Sequence, residues 1–222
     1  MKELILTDEL LAAAPSYRAA VISCRAANSE PDANLWRELD AETEQFAATH
    51  EVTDINRRPA IAATRAAYKA LGKDPNRYRP SAEALCRRVI KEKSLYRINT
   101  LVDLINLVSI RSGYSIGGFD ADKIEGPQLT LGVGRAGEEF CGIGRGPLNI
   151  EGLPVYRDAA GGIGTPTSDE ERTKIDLQTT HLLVIINGYD GDADRLRAAA
   201  DDTVRLLRAY ASATDIETTY VG

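Results

Sequence analysis

The chain has 222 residues, 43% of them hydrophobic and 27% charged, which is ample for a buried core and leaves no apolar run of membrane-spanning length. Its formal charge of −6 argues against a surface dedicated to nucleic acid. That total hides a basic block: residues 57–97 carry 12 basic and 3 acidic side chains, and the segments on both sides are acidic. Such a block either attracts a polyanion or pairs with the acidic flanks, and composition alone leaves both open. Cys24, Cys86 and Cys141 are odd in number and far apart, so buried free thiols are expected rather than a disulfide framework or a zinc site. No signal peptide is recognised, and a reducing cytoplasm is the expected location.

In chain order, the opening LILTDELLAAAP is mixed in character, and SYRAAVISCRAAN at 16–28 reads as a strand, with Ala19, Val21 and Ser23 alternating against Ala20, Ile22 and Cys24. Leu35, Trp36, Leu39, Thr43 and Phe46 recur at spacings of three and four, which predicts a helix from Ala33 to about His50. A second helix is expected from Arg58 to Leu71, closed by Gly72, and a third from Ser81 to Lys91 with Ser81 as N-cap. Asn99 and Thr100 are candidate caps for a fourth over Leu101–Ile110, with Asp103 in its first turn and Gly113 as its stop. After Gly118 the character turns to β. QLTLGVG and EEFCGIG are expected to form a hairpin around Arg135–Gly137, followed by a strand at VYRDA. Residues 181–187 have an unbroken apolar centre, expected in the middle of a sheet and buried on both faces. An amphipathic helix from Asp192 to about Ala211 and an edge strand over 215–221 complete an α+β chain, with helices first and a mixed sheet later.

The sequence RINTLVDLINLVSIRSGYSIGGFDADKIEG at 97–126 joins a helix, a turn and a strand entry in one order. It resembles the B3/B4 domain of the phenylalanyl-tRNA synthetase β subunit. The resemblance runs from about Tyr78 to Asp190 and includes RPSAEALCRRVI, PVYRDAAGGIG and TTHLLVIINGYD. The resemblance does not extend to the rest of a synthetase β subunit within these 222 residues, and a stand-alone protein of that family is expected. Residues 1–76 are expected as a strand and helical extension packed on a main domain of 77–222. In the synthetases the domain forms a cleft that hydrolyses tyrosine wrongly attached to phenylalanine-specific tRNA. The resemblance therefore implies a tRNA or aminoacyl-tRNA partner and a small amino-acid-like ligand, with no membrane, DNA, metal or cofactor. If the chain is an enzyme, it implies an aminoacyl-tRNA deacylase and not a complete ligase; a ligand sensor without an RNA role is the alternative that the acidic total favours.

By the same resemblance the cleft walls are Asn99, Asn106, Gly117, Gly118 and Asp120, then Gly161, Gly162 and Gly164, then Asn187 and Gly188. Glycines there let backbone amides reach a carbonyl, although Gly161–Gly164 also reads as a simple flexible turn. The chain departs from the family at two places. Gly117 stands where the synthetases usually carry a histidine, and Ile185 aligns with a glutamate that helps recognise the tyrosine. The expected result is a roomier, greasier pocket, poorly suited to tyrosine, with Gly117 at an open turn that tolerates a bulky side chain. Candidate chemistry lies in Asp169–Lys174, where Glu170 and Glu171 beside Arg172 and Lys174 could hold an amino group and water, with Thr173 as a ligand hydroxyl. A solvated helix start explains the same residues. Arg79, Arg87, Arg88, Lys91, Lys93 and Arg97 are the candidate RNA contacts. Neither His50 nor His181 has the surroundings of a base, and no catalytic triad, Walker loop or Rossmann fingerprint occurs. Asp190, Asp192 and Asp194 lack the closing glutamate of a calcium loop and read as the start of the last helix.

Overall fold

The computed structural model describes residues 2–92 and 94–222. In chain order the elements are β1 (Glu3–Leu6), α1 (Asp8–Ala13), β2 (Arg18–Arg25), α2 (Ala33–Thr49), α3 (Pro59–Ala70), α4 (Ser81–Glu92), α5 (Thr100–Ser112), β3 (Ser115–Asp120) and β4 (Gln128–Val133). They continue with the short β5 (Cys141–Gly142) and β6 (Gly146–Pro147), then β7 (Pro154–Arg157), β8 (Gly162–Gly164), β9 (His181–Gly188), α6 (Ala193–Tyr210) and β10 (Thr214–Val221). The chain is a mixed α+β fold.

Two four-stranded sheets pack face to face. One has the order β10-β2-β9-β3 with antiparallel neighbours throughout. The other has the order β1-β4-β7-β8, in which β1 and β4 run parallel. Between them lie Val21, Phe119, Leu131, Tyr156, Leu183 and Ile185. The outer face of the first sheet is covered by α2, α5 and α6 through Leu35, Trp36, Leu104, Leu107, Leu196 and Leu207. The apolar run of β9 therefore serves two cores: Leu182, Val184 and Ile186 face the helices, and Leu183 and Ile185 face the second sheet. At about 1.5–3 kcal/mol per fully buried side chain, this one strand contributes a large share of the driving force for stacking the layers.

Local signals fix the ends of α5. Asn99 Oδ1 accepts the Val102 N–H at 3.0 Å, and Gly113 ends the helix in the left-handed conformation at φ 80°. Asp103 is fully buried in the first turn, where it accepts the Trp36 indole N–H at 2.7 Å and ties α2 to α5. Arg58 reaches the last carbonyls of α5, those of Ile110 and Arg111, both at 2.7 Å.

The structure corrects several expectations. The hairpin of 128–134 with 138–144 does not form. β4 pairs instead with β7, whose Val155 and Tyr156 are buried, while Glu138 turns away to bind Arg157 at 2.6 Å. Ser81 begins α4 rather than capping it, since the first intrahelical acceptor is the Pro80 carbonyl. Cys24 and Cys86 are buried, but Cys141 sits exposed on the two-residue β5. Residues 1–76 supply β1, which pairs with β4, and β2, which lies between β10 and β9.

Candidate functional site

A cavity of about 530 Å³ opens between α5, the start of α4, the outer edge of β3 and the segment 169–177. Its walls are mostly apolar. Val102 and Ile105 come from α5, Ile116 from β3, and Ile143, Ile175 and Leu177 from the loops. The segment 174–177 is held in place by Lys123, whose ammonium binds the Lys174 carbonyl at 3.0 Å and Asp176 at 2.6 Å. Asn28 adds a hydrogen bond to the Asp176 carbonyl at 2.8 Å. Polar groups are few: Asn99, Asn106, Ser81, Ser109, Asp169, Lys174 and Asp176. Asn99 is spent as the α5 cap, and Ser109 donates to the Tyr114 carbonyl at 2.7 Å. The Asn106 side chain stands half-buried in the wall, one helical turn beyond Val102.

A second depression of about 280 Å³ continues from the first and shares Ser81, Leu85, Ile98 and Asn106 with it. Its further walls carry Arg88, Arg145 and Tyr96. Tyr96 is 67% exposed, and the Arg88 guanidinium lies over its ring at 4.2 Å. Tyr96, Ile98, Ile143 and Leu177, four of the six exposed large hydrophobic side chains among the described residues, border this joined opening. Exposed apolar surface gathered around one concavity is a signature of ligand binding rather than of ordinary surface.

Adjacent glycines on β3 face opposite ways. A Cβ at Gly118 would stand 2.6 Å from Ile105 Cδ1 and 3.0 Å from Ile175 Cδ1, both in the cavity wall. At Gly117 it would stand 2.7 Å from Phe119 Cζ, on the inter-sheet side. Gly117 is thus no open turn but the bed of the Phe119 ring, a role shared with Gly164, whose Cβ would also meet Phe119 Cζ at 2.7 Å. Gly117 also pairs with Ile185 across β3 and β9, and both point into the core. The two positions expected to enlarge the pocket belong instead to the inter-sheet core, Gly117 against the Phe119 ring and Ile185 among its buried side chains.

The expected cleft residues therefore divide into three groups. Asn99, Asn106 and Gly118 meet at the α5 cavity. Gly161 and Gly162 lie in a separate cleft with Phe140, Cys141, Glu170 and Arg172. Gly117, Asp120 and Asn187 are buried. Asp120 accepts from Thr179 at 2.9 Å, and Asn187 accepts from the Tyr156 hydroxyl at 2.5 Å and donates to the Ser115 carbonyl at 2.9 Å. The candidate catalytic set does not converge. Glu170 caps the short turn of 171–173 by accepting the Arg172 N–H at 2.6 Å, Glu171 pairs with Lys174, and the Thr173 hydroxyl is wholly buried and makes no hydrogen bond.

From that run Asp169 and Lys174 reach the cavity, and Asp169 is the acid among them. Its Oδ2 accepts the Gly118 N–H at 3.1 Å on the edge of β3. Crowding by protein atoms pushes its carboxyl up to about 7, against a smaller opposing pull from that N–H. In the sequence it is one acid among several in a charged run, and only the apolar Ile175 and Leu177 nearby mark the run as a wall.

Much of the basic block is consumed internally. Glu83, 1% exposed, binds Arg65 and Arg87, both at 2.8 Å, with Arg79 at 3.6 Å. Lys73 donates to the carbonyls of Asn149 and Glu151. Arg97 covers the Trp36 ring at 4.4 Å, and Arg88 pairs with Glu92 at 3.1 Å. Lys91 is exposed at the surface of α4, and Lys93 lies outside the described residues. Of the candidate RNA contacts, Arg87 has a structural duty and Arg88 borders the joined opening. Arg145, exposed beside it, carries no signal in the sequence.

A model of the B3/4 domain family matches residues 63–212. Among solved structures, an N-terminal fragment of the phenylalanyl-tRNA synthetase β subunit from Pyrococcus horikoshii is similar, with a TM-score of 0.51 and 14% identity. That match covers 99% of this chain and 54% of the fragment, so the chain spans about half the fragment's length. At this identity the likeness is one of fold. No curated protein matches the chain.

Proposed function

The chain belongs to the B3/4 domain family, and from that premise we propose that it binds the aminoacyl end of a tRNA or a small molecule of the same chemistry. The observation that carries this reading is the pair of joined concavities. One is apolar and of amino-acid side-chain size. The other offers a planar aromatic surface on Tyr96 and the guanidinium groups of Arg88 and Arg145, and the two share Asn106 at their boundary. A base stacks on an exposed ring, arginines meet phosphate, and an amide at the junction suits an ester or amide carbonyl. Binding alone is the function proposed, since Glu170 and Glu171 are occupied away from the cavity and the Thr173 hydroxyl is buried outside it.

The test is calorimetric titration with a non-hydrolysable, amide-linked aminoacyl-adenosine carrying an apolar side chain, alongside adenosine and the amino-acid amide separately. Joining two groups that occupy adjoining sites makes the second binding event intramolecular, so the conjugate should bind at least 100-fold tighter than either part, at the lower end of what linkage gives (about 10²–10⁴). A conjugate no tighter than its better half would overturn the reading.

A further inference from the structure

Two carboxylates line the cavity, Asp169 and Asp176, and among the described residues only Asp176 has a cation within ion-pair distance. Asp176 binds Lys123 at 2.6 Å, Glu171 binds Lys174, and Asp158 binds Arg172 at 2.9 Å. Asp120, below the end of β3, has Lys123 at 3.3 Å. Asp169 has no cation within ion-pair distance among the described residues, and its carboxyl receives a single hydrogen bond, from Gly118. Lys174 lines the same cavity but is turned to Glu171.

The surroundings make room for this carboxyl without supplying a counter-charge. A Cβ on Gly164 would stand 2.8 Å from Asp169 Oδ1, and one on Gly117 would stand 3.4 Å from it. The cavity wall beside it is hydrocarbon from Ile105, Ile116 and Ile175. An acid held in a ligand-sized cavity with spare lone pairs and no internal partner is completed by a cation that arrives from outside. The compact donor that fits beside an apolar wall is a primary ammonium.

Resting on the aminoacyl reading above, we propose that Asp169 is the counter-ion for the ligand's amino group, so that the cavity selects an ammonium joined to an apolar side chain. Asn106 then faces the carbonyl, and the α5 and loop isoleucines take the side chain. This assigns the site a substrate class: free-amine aminoacyl groups are bound, and N-acylated or des-amino analogues are rejected.

The experiment titrates the chain with leucine amide and with isocaproamide, the same skeleton without the amine. A charge-assisted contact is worth about tenfold or more in affinity, so the wild-type chain should prefer leucine amide by at least that factor. In Asp169→Asn, which keeps an acceptor for the Gly118 N–H, the ratio should fall to near one through loss of leucine amide binding, with isocaproamide little changed. Equal binding of both probes to the wild-type chain overturns the proposal while leaving an aminoacyl cavity intact, and so does a preference that survives in Asp169→Asn. If neither probe binds, the aminoacyl reading falls with it. The wild-type comparison stands whatever the variant's stability.

Discussion

Adding one methyl group at each of the two adjacent glycines of β3 should produce opposite results. In Gly117→Ala the new methyl meets Phe119 Cζ at 2.7 Å and Cε2 at 2.8 Å. That ring is fully buried between the sheets and also rests on Gly164, so it has nowhere to retreat. Overpacking of this kind costs about 1–3 kcal/mol, and for a chain of this size each kcal/mol moves Tm by about 2–4 °C. In Gly118→Ala the methyl meets Ile105 Cδ1 and Ile175 Cδ1, the ends of flexible side chains that border open volume. They can swing into the cavity, and the loss of unfolded-state freedom returns about 0.4–1 kcal/mol. Thermal melts followed by circular dichroism should therefore show Gly117→Ala lowered by several degrees and Gly118→Ala within about 2 °C of wild type. Titration of the aminoacyl-adenosine should show weakened binding in Gly118→Ala, because the displaced isoleucines take up ligand space. A stable Gly117→Ala, or a Gly118→Ala that melts early and binds normally, would refute the assignment of core and cavity to the two faces of β3.

Glu83→Gln should destabilise the chain by about 3–5 kcal/mol in urea denaturation, because it leaves Arg65 and Arg87 without their buried anion; a change under about 1 kcal/mol would show the cluster to be ornamental. Charge reversal at Arg145 and Arg88 should weaken tRNA binding and reduce its salt slope by about one for each phosphate no longer neutralised. Reversal at Arg87 should chiefly lower stability; equal effects of all three on binding, with stability unchanged, would contradict this division. Asp169 gives a pH signature in the unliganded chain. Its folded pKa is raised, so between 3.8 and about 7 the folded state holds a proton that the unfolded state has released, and the contribution of this group to stability falls as pH rises through that window. The Tm of Asp169→Asn should accordingly gain on wild type from pH 4 to pH 7, with Lys174, Asp176 and Tyr156 as the other ionisable groups nearby, burial holding the Tyr156 phenol neutral throughout; a constant gap would place the carboxyl in water.

The elements with a strong periodic or capping signal are legible in the sequence. The α5 helix with its Asn99 cap and Gly113 stop, the doubly buried β9 and the amphipathic α6 all stand where their residues put them. Strand partners are not legible, because alternation says which face is buried and not which strand lies beside it. β4 therefore leaves its sequence neighbour for β7. The cavity is half legible. Asn99, Asn106 and Gly118 belong to a motif with a recognisable order, whereas Asp169, Ile143 and Arg145 come from irregular loops whose approach depends on tertiary contacts such as Lys123 with 174–176. Gly117 misleads because a glycine vacated for a ligand and one vacated for a neighbouring phenylalanine look alike in one dimension. The basic block misleads for a related reason, since charge counts do not show that Glu83 gathers three of its arginines.

The most direct test of the aminoacyl-binding account is a crystal structure of the chain with the amide-linked aminoacyl-adenosine bound. The account places the ligand's side chain against Val102, Ile105 and Ile175, its carbonyl at Asn106, its amine at Asp169 and its base on Tyr96. A ligand seated instead in the cleft of Gly161, Gly162 and Arg172, with the α5 cavity unchanged, would contradict it.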